Sequence, residues 1–337
     1  MTVVEPRKGT GVRIVRHHEY GPPGVLRTEE AELPAVGPRD VLVRSAAIGV
    51  DHADVQRRNG TFPLGGTPLP YCPSTDVAGT VVRVGAEVGD ITPGTRVVAW
   101  KAPNAYADHV AAPAERVLPL PPGLDFAEAT LLGGPGRVAV NLLRTARFAA
   151  GETVLVHAGA GAVGHLAVQA ARALGAGRVI ATAGSTAKLD FVRELGVDEA
   201  VDYSLPDWPE RVAAATGGGG VDVALNGIGG KRLLDDVRLL APYGRLVSFG
   251  GSGGDAEHPD IPVLDLLGMR QVMGFSMPVV LRHRPEQAEQ AVRDLVRMVS
   301  DGSVRPVVHA RIPLAEAARA HELLEQRRSL GRVVLVP

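Results

Sequence analysis

From residue 153 to residue 276, short apolar runs recur in "TVLVHA", "RVIATA", "EAVDY", "VDVALNG", "RLVSFG" and "QVMGFS". The spacing leaves room for one crossover helix after each, and strands apolar on both faces belong to a parallel sheet covered by helices. Between the first two lies "AVGHLAVQAARALGAG". Val163, Leu166, Ala167, Ala170 and Leu174 share a helical face there, and Gly175 and Gly177 stop the helix. This stretch therefore reads as a doubly wound α/β domain.

The turn that joins its first strand to its first helix, "HAGAGAVG", places Gly159, Gly161 and Gly164 in the G-x-G-x-x-G pattern. The pattern is weak alone and acquires meaning between a strand and a helix. On this reading Gly159 permits the tight turn, Gly161 lets the backbone approach a pyrophosphate, and Gly164 allows close helix–strand packing. The helix N-terminus offers unpaired N–H groups to phosphate. An NAD site carries an acid about 20 residues on, yet Gly184 and Ser185 stand there, in "ATAGSTAK". Asp190 comes too late, inside the next helix, and Lys188 offers a cation to a 2′-phosphate. NADP(H) is the expected cofactor.

The flanking sequence has another rhythm. "GVRIVRHHEYG", "DVLVRSAAIGV", "VAGTVVRVG" and "TRVVAW" read as short strands bounded by Gly, Pro and Asp. Asp125 with Glu128 three residues on marks a helix start. After residue 280 come two amphipathic helices and a last strand, "RVVLVP", free to return to the first sheet. The expected division is a β-rich domain over 1–124 and 281–337 and a cofactor domain over 125–280. Length alone suggests about two domains for 337 residues.

A net charge of −1 excludes a basic field for nucleic acid or an anionic membrane. Cys72 is the single cysteine, so no intrachain disulfide or four-thiolate zinc site can form. "MTVVEPRKGTG" has no apolar signal core and no apolar run reaches membrane-spanning length, which points to the cytoplasm.

Taken together, "AAIGVDHADVQRRNGTFP", "AYADHVAAPAERVLPLPPGL", "GETVLVHAGAGAVGHLAVQAARALGA" and "LAEAARAHELLEQRRSLGRVVLVP" resemble the medium-chain dehydrogenase/reductase superfamily, and most closely its zinc-independent quinone oxidoreductase branch. The resemblance implies a chaperonin-10-like catalytic domain built from both chain ends, a Rossmann domain between, and a cleft where NADPH meets a small-molecule substrate. It also implies a homodimer formed through the last Rossmann strand, near "QVMGFSM". It places Gly159, Gly161, Ala162, Val163 and Gly164 on the pyrophosphate and Ser185, Lys188 and Tyr203 on the 2′-phosphate side. Asn226, Phe249 and Phe275 would line the nicotinamide half, with Arg327 closing over the cofactor. Tyr203 and Phe249 read equally well as core or rim residues.

Zinc-dependent members carry "C-H-T-D" where this chain has "DHAD" and "G-H-E" where it has "STD". Asp51 thus replaces the cysteine and Thr75 the histidine, and "LLGGPGRV" supplies no third ligand, so no metal site is expected. Without a Lewis acid the natural acceptor is already activated: a quinone or an α,β-unsaturated carbonyl. Asp51 in place of the branch's usual Asn, and Arg137 among glycines, favour a specialised substrate, such as an enone of secondary metabolism or a reductive cyclisation. The catalytic candidates are Asp51, His52, Asp76 and Arg137. Asp51 reads equally as a cleft residue or a turn cap, and Asp76 as an ion-pair partner or a backbone acceptor. His109 and His165 read as structural or exposed, and Cys72 as inert. A nucleotide-binding module without turnover is the competing reading.

Overall fold

The computed structural model describes residues 11–62, 65–252 and 259–337. Residues 1–10, on which the absence of a signal core was read, lie outside the described residues. The chain forms two compact units, one running to Gly134 and resumed at Val307, the other Pro135–Pro306.

The first unit begins with a two-stranded antiparallel pair, β1 (Val12–Arg16) and β2 (Arg27–Ala31). Five more strands follow: β3 (Asp40–Gly49), β4 (Thr75–Val84), β5 (Arg96–Ala102), β6 (His109–Pro113) and β7 (Val117–Pro119). Helix α1 (His52–Asn59) leaves the end of β3 and closes on Gly60, whose φ of 79° suits the left-handed cap that glycine favours. Helix α2 (Phe126–Ala129) starts as expected: Asp125 accepts the amides of Ala127 and Glu128. Buried side chains of β3 to β5, Val41, Val43, Ile48, Val77, Val81, Val97 and Ala99, pack into one core with Tyr106.

Helix α3 (Gly134–Thr145) leads into the second unit. Its parallel strands are β8 (Thr153–Val156), β9 (Arg178–Ala183), β10 (Glu199–Asp202), β11 (Val221–Asn226), β12 (Leu240–Ser248) and β13 (Gln271–Gly274). The crossovers carry α4 (Gly164–Ala173), α5 (Thr186–Glu194), α6 (Trp208–Ala215) and α7 (Arg232–Leu239). Sheet order is β10-β9-β8-β11-β12-β13, the doubly wound order whose direction reverses between β8 and β11. Leu155, Ile180, Val201, Val221 and Leu246 are almost wholly buried, as strands covered on both faces require. Gly175 ends the α4 region at φ 91°.

Helices α8 (Met277–His283) and α9 (Pro285–Ser300) belong to this second unit, a correction to the expected boundary at 280/281. Arg144 of α3 pairs with Asp294 of α9, and Gln169 of α4 bonds the backbone of Arg305. These ties carry the unit to Pro306. The front boundary likewise falls at Gly134/Pro135 rather than 124/125, because α2 packs on β3 and β4.

The chain then returns to the first unit with β14 (Val308–Pro313), α10 (Ala317–Glu325) and β15 (Arg332–Val336). The last strand pairs with β3, Val334 opposite Gly49 and Leu335 opposite Ile48, and completes a seven-stranded sheet. No described helix is long and apolar enough to cross a membrane.

Candidate active site and nucleotide-binding turn

In the second unit, the ends of β8, β9, β10, β11, β12 and β13 face one way and carry most of the expected cofactor residues. In a sheet of this order, ligands bind outside the carboxyl ends of the strands at the reversal point. The turn after β8 does not use its first glycine as expected. The left-handed residue is Ala158, at φ 50°, and Gly159 is needed for packing: a Cβ there would lie 2.8 Å from Ala181 Cβ and 3.2 Å from Val192. Gly164 is needed because a Cβ would come within 2.2 Å of the Ala158 carbonyl oxygen. Gly161 differs, facing only that same oxygen at 3.3 Å, and Gly161, Ala162 and Val163 are half-exposed.

The helical ladder begins with His165 N–H to Gly161 and Ala167 N–H to Val163. The amides of Ala162 and Val163 precede it, as first-turn N–H groups do. A missing Cβ beside first-turn amides is the arrangement that a pyrophosphate site requires. His165 is fully buried, which removes the exposed alternative, and its Nδ1 donates to the Gly161 carbonyl at 2.8 Å. Burial lowers its pKa to about 4, against the pull of the Gly161 and Ala162 carbonyls, so the ring is a neutral brace for the turn.

Ser185 stands at the N-cap of α5 with Lys188 in that helix's first turn. Gly184 lies under the Tyr203 ring, where a Cβ would come to 3.0 Å, and Tyr203 N–H bonds the Ala183 carbonyl. The fold thus brings Ser185, Lys188 and Tyr203 to one corner with no acid at the end of β9. Phe249 and Phe275 are half-buried at the ends of β12 and β13, Phe249 against Gly227.

Asn226 is placed otherwise. Its Oδ1 accepts the amides of Ile228 and Gly229, each at 2.8 Å, and its Nδ2 donates to Asp236 at 2.5 Å. Asp236 also meets His157, whose other nitrogen meets Thr182. Asn226 is spent on this buried network and shapes its own turn. Arg137 is buried near the start of α3, where its carbonyl receives Asn141. Arg327 lies in the first unit just past α10, exposed, at φ 53°.

The first unit gathers a second group of polar residues. Asp51 occupies the N-cap of α1 in a capping box with Asp54. The Asp54 carboxylate accepts the Asp51 amide at 3.0 Å. Asp51 Oδ2 accepts from Thr75 Oγ1 at 2.9 Å, and Oδ1 meets Arg332 Nη2 at 2.9 Å. Asp76 Oδ2 lies 2.8 Å from the same nitrogen, and Asp76 Oδ1 takes the Lys101 amide at 3.4 Å. Asp76 is therefore both ion-pair partner and backbone acceptor. Burial pushes its pKa above the usual carboxylate range and Arg332 pulls it back only in part. Burial, then the charge of Asp51, pushes Asp54 well above that range. His52 is exposed on the first turn of α1. Such packing as it has, and then Arg327, lower its pKa.

Arg332 is the residue that sequence reasoning missed. Its signal was a charged side chain opening the apolar strand "RVVLVP". His109 is half-buried, and burial lowers its pKa. Cys72 is buried and its thiol is pushed up to about 12, which suits an inert side chain. Among the described residues, no group of three or more His, Cys, Asp or Glu side chains could hold a metal ion. Zinc does not fit the group around Asp51: its two carboxylates already face a cation, and the other donors are one hydroxyl and main-chain groups.

A six-stranded parallel sheet with a glycine turn at its reversal point, inserted into a β-rich unit, defines the class: a two-unit, dinucleotide-type oxidoreductase. Residues 37–122 match the alcohol dehydrogenase GroES-like domain, and 162–297 match the family described as zinc-binding dehydrogenase. A quinone oxidoreductase of Pseudomonas aeruginosa is 36% identical over 323 residues, 94% of this chain and 97% of that protein. A 2-haloacrylate reductase of a Burkholderia species is 34% identical, over 95% and 97%. The crystal structure of Escherichia coli quinone oxidoreductase complexed with NADPH superposes with a TM-score of 0.88 at 30% identity, covering 97% of this chain and 100% of that one. The chain belongs to the medium-chain dehydrogenase/reductase superfamily, in its quinone oxidoreductase-like branch.

Proposed function

We propose that this oxidoreductase is NADPH-dependent and zinc-independent, and that it reduces an activated small-molecule acceptor, a quinone or an α,β-unsaturated carbonyl. The carrying observation is the strand-end corner of Ser185, Lys188 and Tyr203, which offers a cation and a hydroxyl where an NAD enzyme places an acid. The names of the Pseudomonas and Burkholderia proteins and the NADPH bound to the Escherichia coli enzyme support the same reading.

When bound, NADPH supplies the hydride. The Ala162 and Val163 amides would hold its pyrophosphate, and Lys188 and Ser185 its 2′-phosphate, with the phosphate charge favouring Lys188. An ion-paired Asp51 accepts hydrogen bonds and orients a ligand, while His52 beside it is the exposed group able to carry a proton. No Lewis acid is available at Asp51, so conjugation within the acceptor must spread the developing charge. The departures at Asp51 and Arg137 point to a specialised enone or a reductive cyclisation.

The homodimer reading rests on β13, which among the described residues pairs only with β12, and on exposed apolar side chains beside that edge: Leu267, Met269 and Tyr243, at 70%, 64% and 66%. The cytoplasmic reading rests on the lone buried Cys72. The test is oxidation of NADPH, followed at 340 nm, with benzoquinone and cyclohexenone. Turnover with either supports the proposal; NADPH binding without oxidation by a panel of quinones and enones would leave a nucleotide-binding module.

A further inference from the structure

The Arg332 guanidinium is wholly buried, and a buried cation is tolerated only where its partners are in place. Here the backbone has been cleared for it. A Cβ on Gly49 would stand 2.1 Å from Nη2 and 2.2 Å from Cζ. Across the group, a Cβ on Gly133 or Gly134 would come to 2.7 or 2.9 Å from the Asp76 carboxylate oxygens. Those are the first two glycines of "LLGGPGRV", the segment that has no ligand to offer a metal. Nη2 meets Asp51 and Asp76 and lies 3.4 Å from Thr75 Oγ1; Nη1 donates to the Thr130 carbonyl. Nε, equally buried, has no partner. Two carboxylates and a hydroxyl from two segments thus converge on one positive group, and two of the three, Asp51 and Thr75, are the residues that the resemblance sets against zinc ligands of metal-dependent members.

We infer that Arg332 is the resident cation of this site, a guanidinium doing the charge-compensating work of a zinc ion, and that it positions Asp51. The donor set suits the substitution. A zinc site needs three protein ligands and an open position, whereas a guanidinium needs planar acceptors on its rim. Arg332 is bonded into β15, so this cation cannot exchange with solvent or be chelated. Asp51, one-third exposed, keeps lone pairs for an outside partner while both oxygens are fixed from within. Arg332 itself reaches no solvent and is a positioning residue.

The test removes the cation and offers others. In the full chain, Arg332→Ala leaves two carboxylates around an empty volume, and its Tm falls by about 10 °C. Low-millimolar methylguanidinium or zinc sulfate restores at least half of the loss and leaves the wild type unmoved. Adding Asp51→Asn to the alanine variant abolishes that recovery. An unchanged Tm, or a fall that neither cation recovers, overturns the inference. Should Arg332→Ala not fold, Arg332→Lys and Arg332→Met decide between charge and bulk. Lysine retains the wild-type Tm within a few degrees and methionine does not; equal Tm values overturn the inference. Every readout is thermal or a binding effect, so the inference fails or stands independently of the proposed reductase activity.

Discussion

In the turn after β8 the decisive feature is what is missing: three glycines leave room for a helix and a sheet and, on the proposed reading, for a phosphate held by main-chain amides. Around Arg332 the decisive feature is what has been added, namely charge, supplied by side chains up to 281 residues apart in sequence. Glycines serve there too, but at Gly49, Gly133 and Gly134 they make room for side-chain charge. A main-chain site tolerates many side chains and fails when a Cβ is added. A charge-paired site tolerates no loss of a partner, since the survivor is left buried and uncompensated.

That contrast can be broken most forcefully at Asp76. Asp76→Ala leaves Arg332 with Asp51 as its one carboxylate partner, and a loss of about 3–5 kcal/mol is expected by denaturant unfolding, while Asp51→Ala costs less because Asp51 is one-third exposed. Equal losses would deny the asymmetry. In the turn, Gly164→Ala must shift the Ala158 backbone, at about 1–3 kcal/mol. Gly161→Ala should leave Tm unchanged and weaken NADPH in a fluorescence titration. If both lose Tm alike, the division between a packing glycine and a phosphate-facing glycine is wrong.

Each unit also hides a neutral histidine. His165 has a pKa of about 4 and His321, whose Nε2 lies 3.0 Å from the Tyr106 hydroxyl, about 3, both lowered first by burial. The unfolded chain binds these protons near pH 6.5 and the folded chain does not. Their contribution is therefore complete above that pH and shrinks by about 1.4 kcal/mol per pH unit per histidine as pH falls towards the folded values. Comparing Tm at pH 7 and pH 5 for the wild type, His165→Gln and His321→Gln checks this; each variant should show a shallower fall. The smallest effect is on cofactor choice. Lys188→Glu should weaken NADPH about tenfold relative to NADH, roughly 1.4 kcal/mol, as read by the two Km values. Equal responses would remove Lys188 from the phosphate corner.

The same contrast explains what could be read from sequence. The doubly wound sheet and the glycine turn after its first strand depend on local period and on a motif eight residues long, "HAGAGAVG", and these were legible. The use of Gly159 was not, because the atoms it must avoid, on Ala181 and Val192, come from the next strand and helix. The buried hydrogen bonding of Asn226 was not legible for a similar reason, since its partner Asp236 lies on α7. Asp51 was recognised as a substitution for a ligand, but its partner enters from the last strand. Nothing local couples the two. The boundary error at 280 also has a cause, because the amphipathic pattern of α9 reports a buried face and not which unit buries it.

The way β15 enters the sheet also sets an order of assembly. Residues 135–306 form a continuous unit and are complete while β14 and β15 have yet to be made. At about 5–20 residues per second, Asp51 is synthesised roughly 15–55 seconds before Arg332. Through that interval the edge of β3 at Ile48 and Gly49 has no strand to pair with, and the carboxylates of Asp51 and Asp76 share a site with no guanidinium between them. The nascent first unit is thus a sheet with a slot and an unbalanced negative charge, closed by one strand that brings both the missing hydrogen bonds and the missing cation.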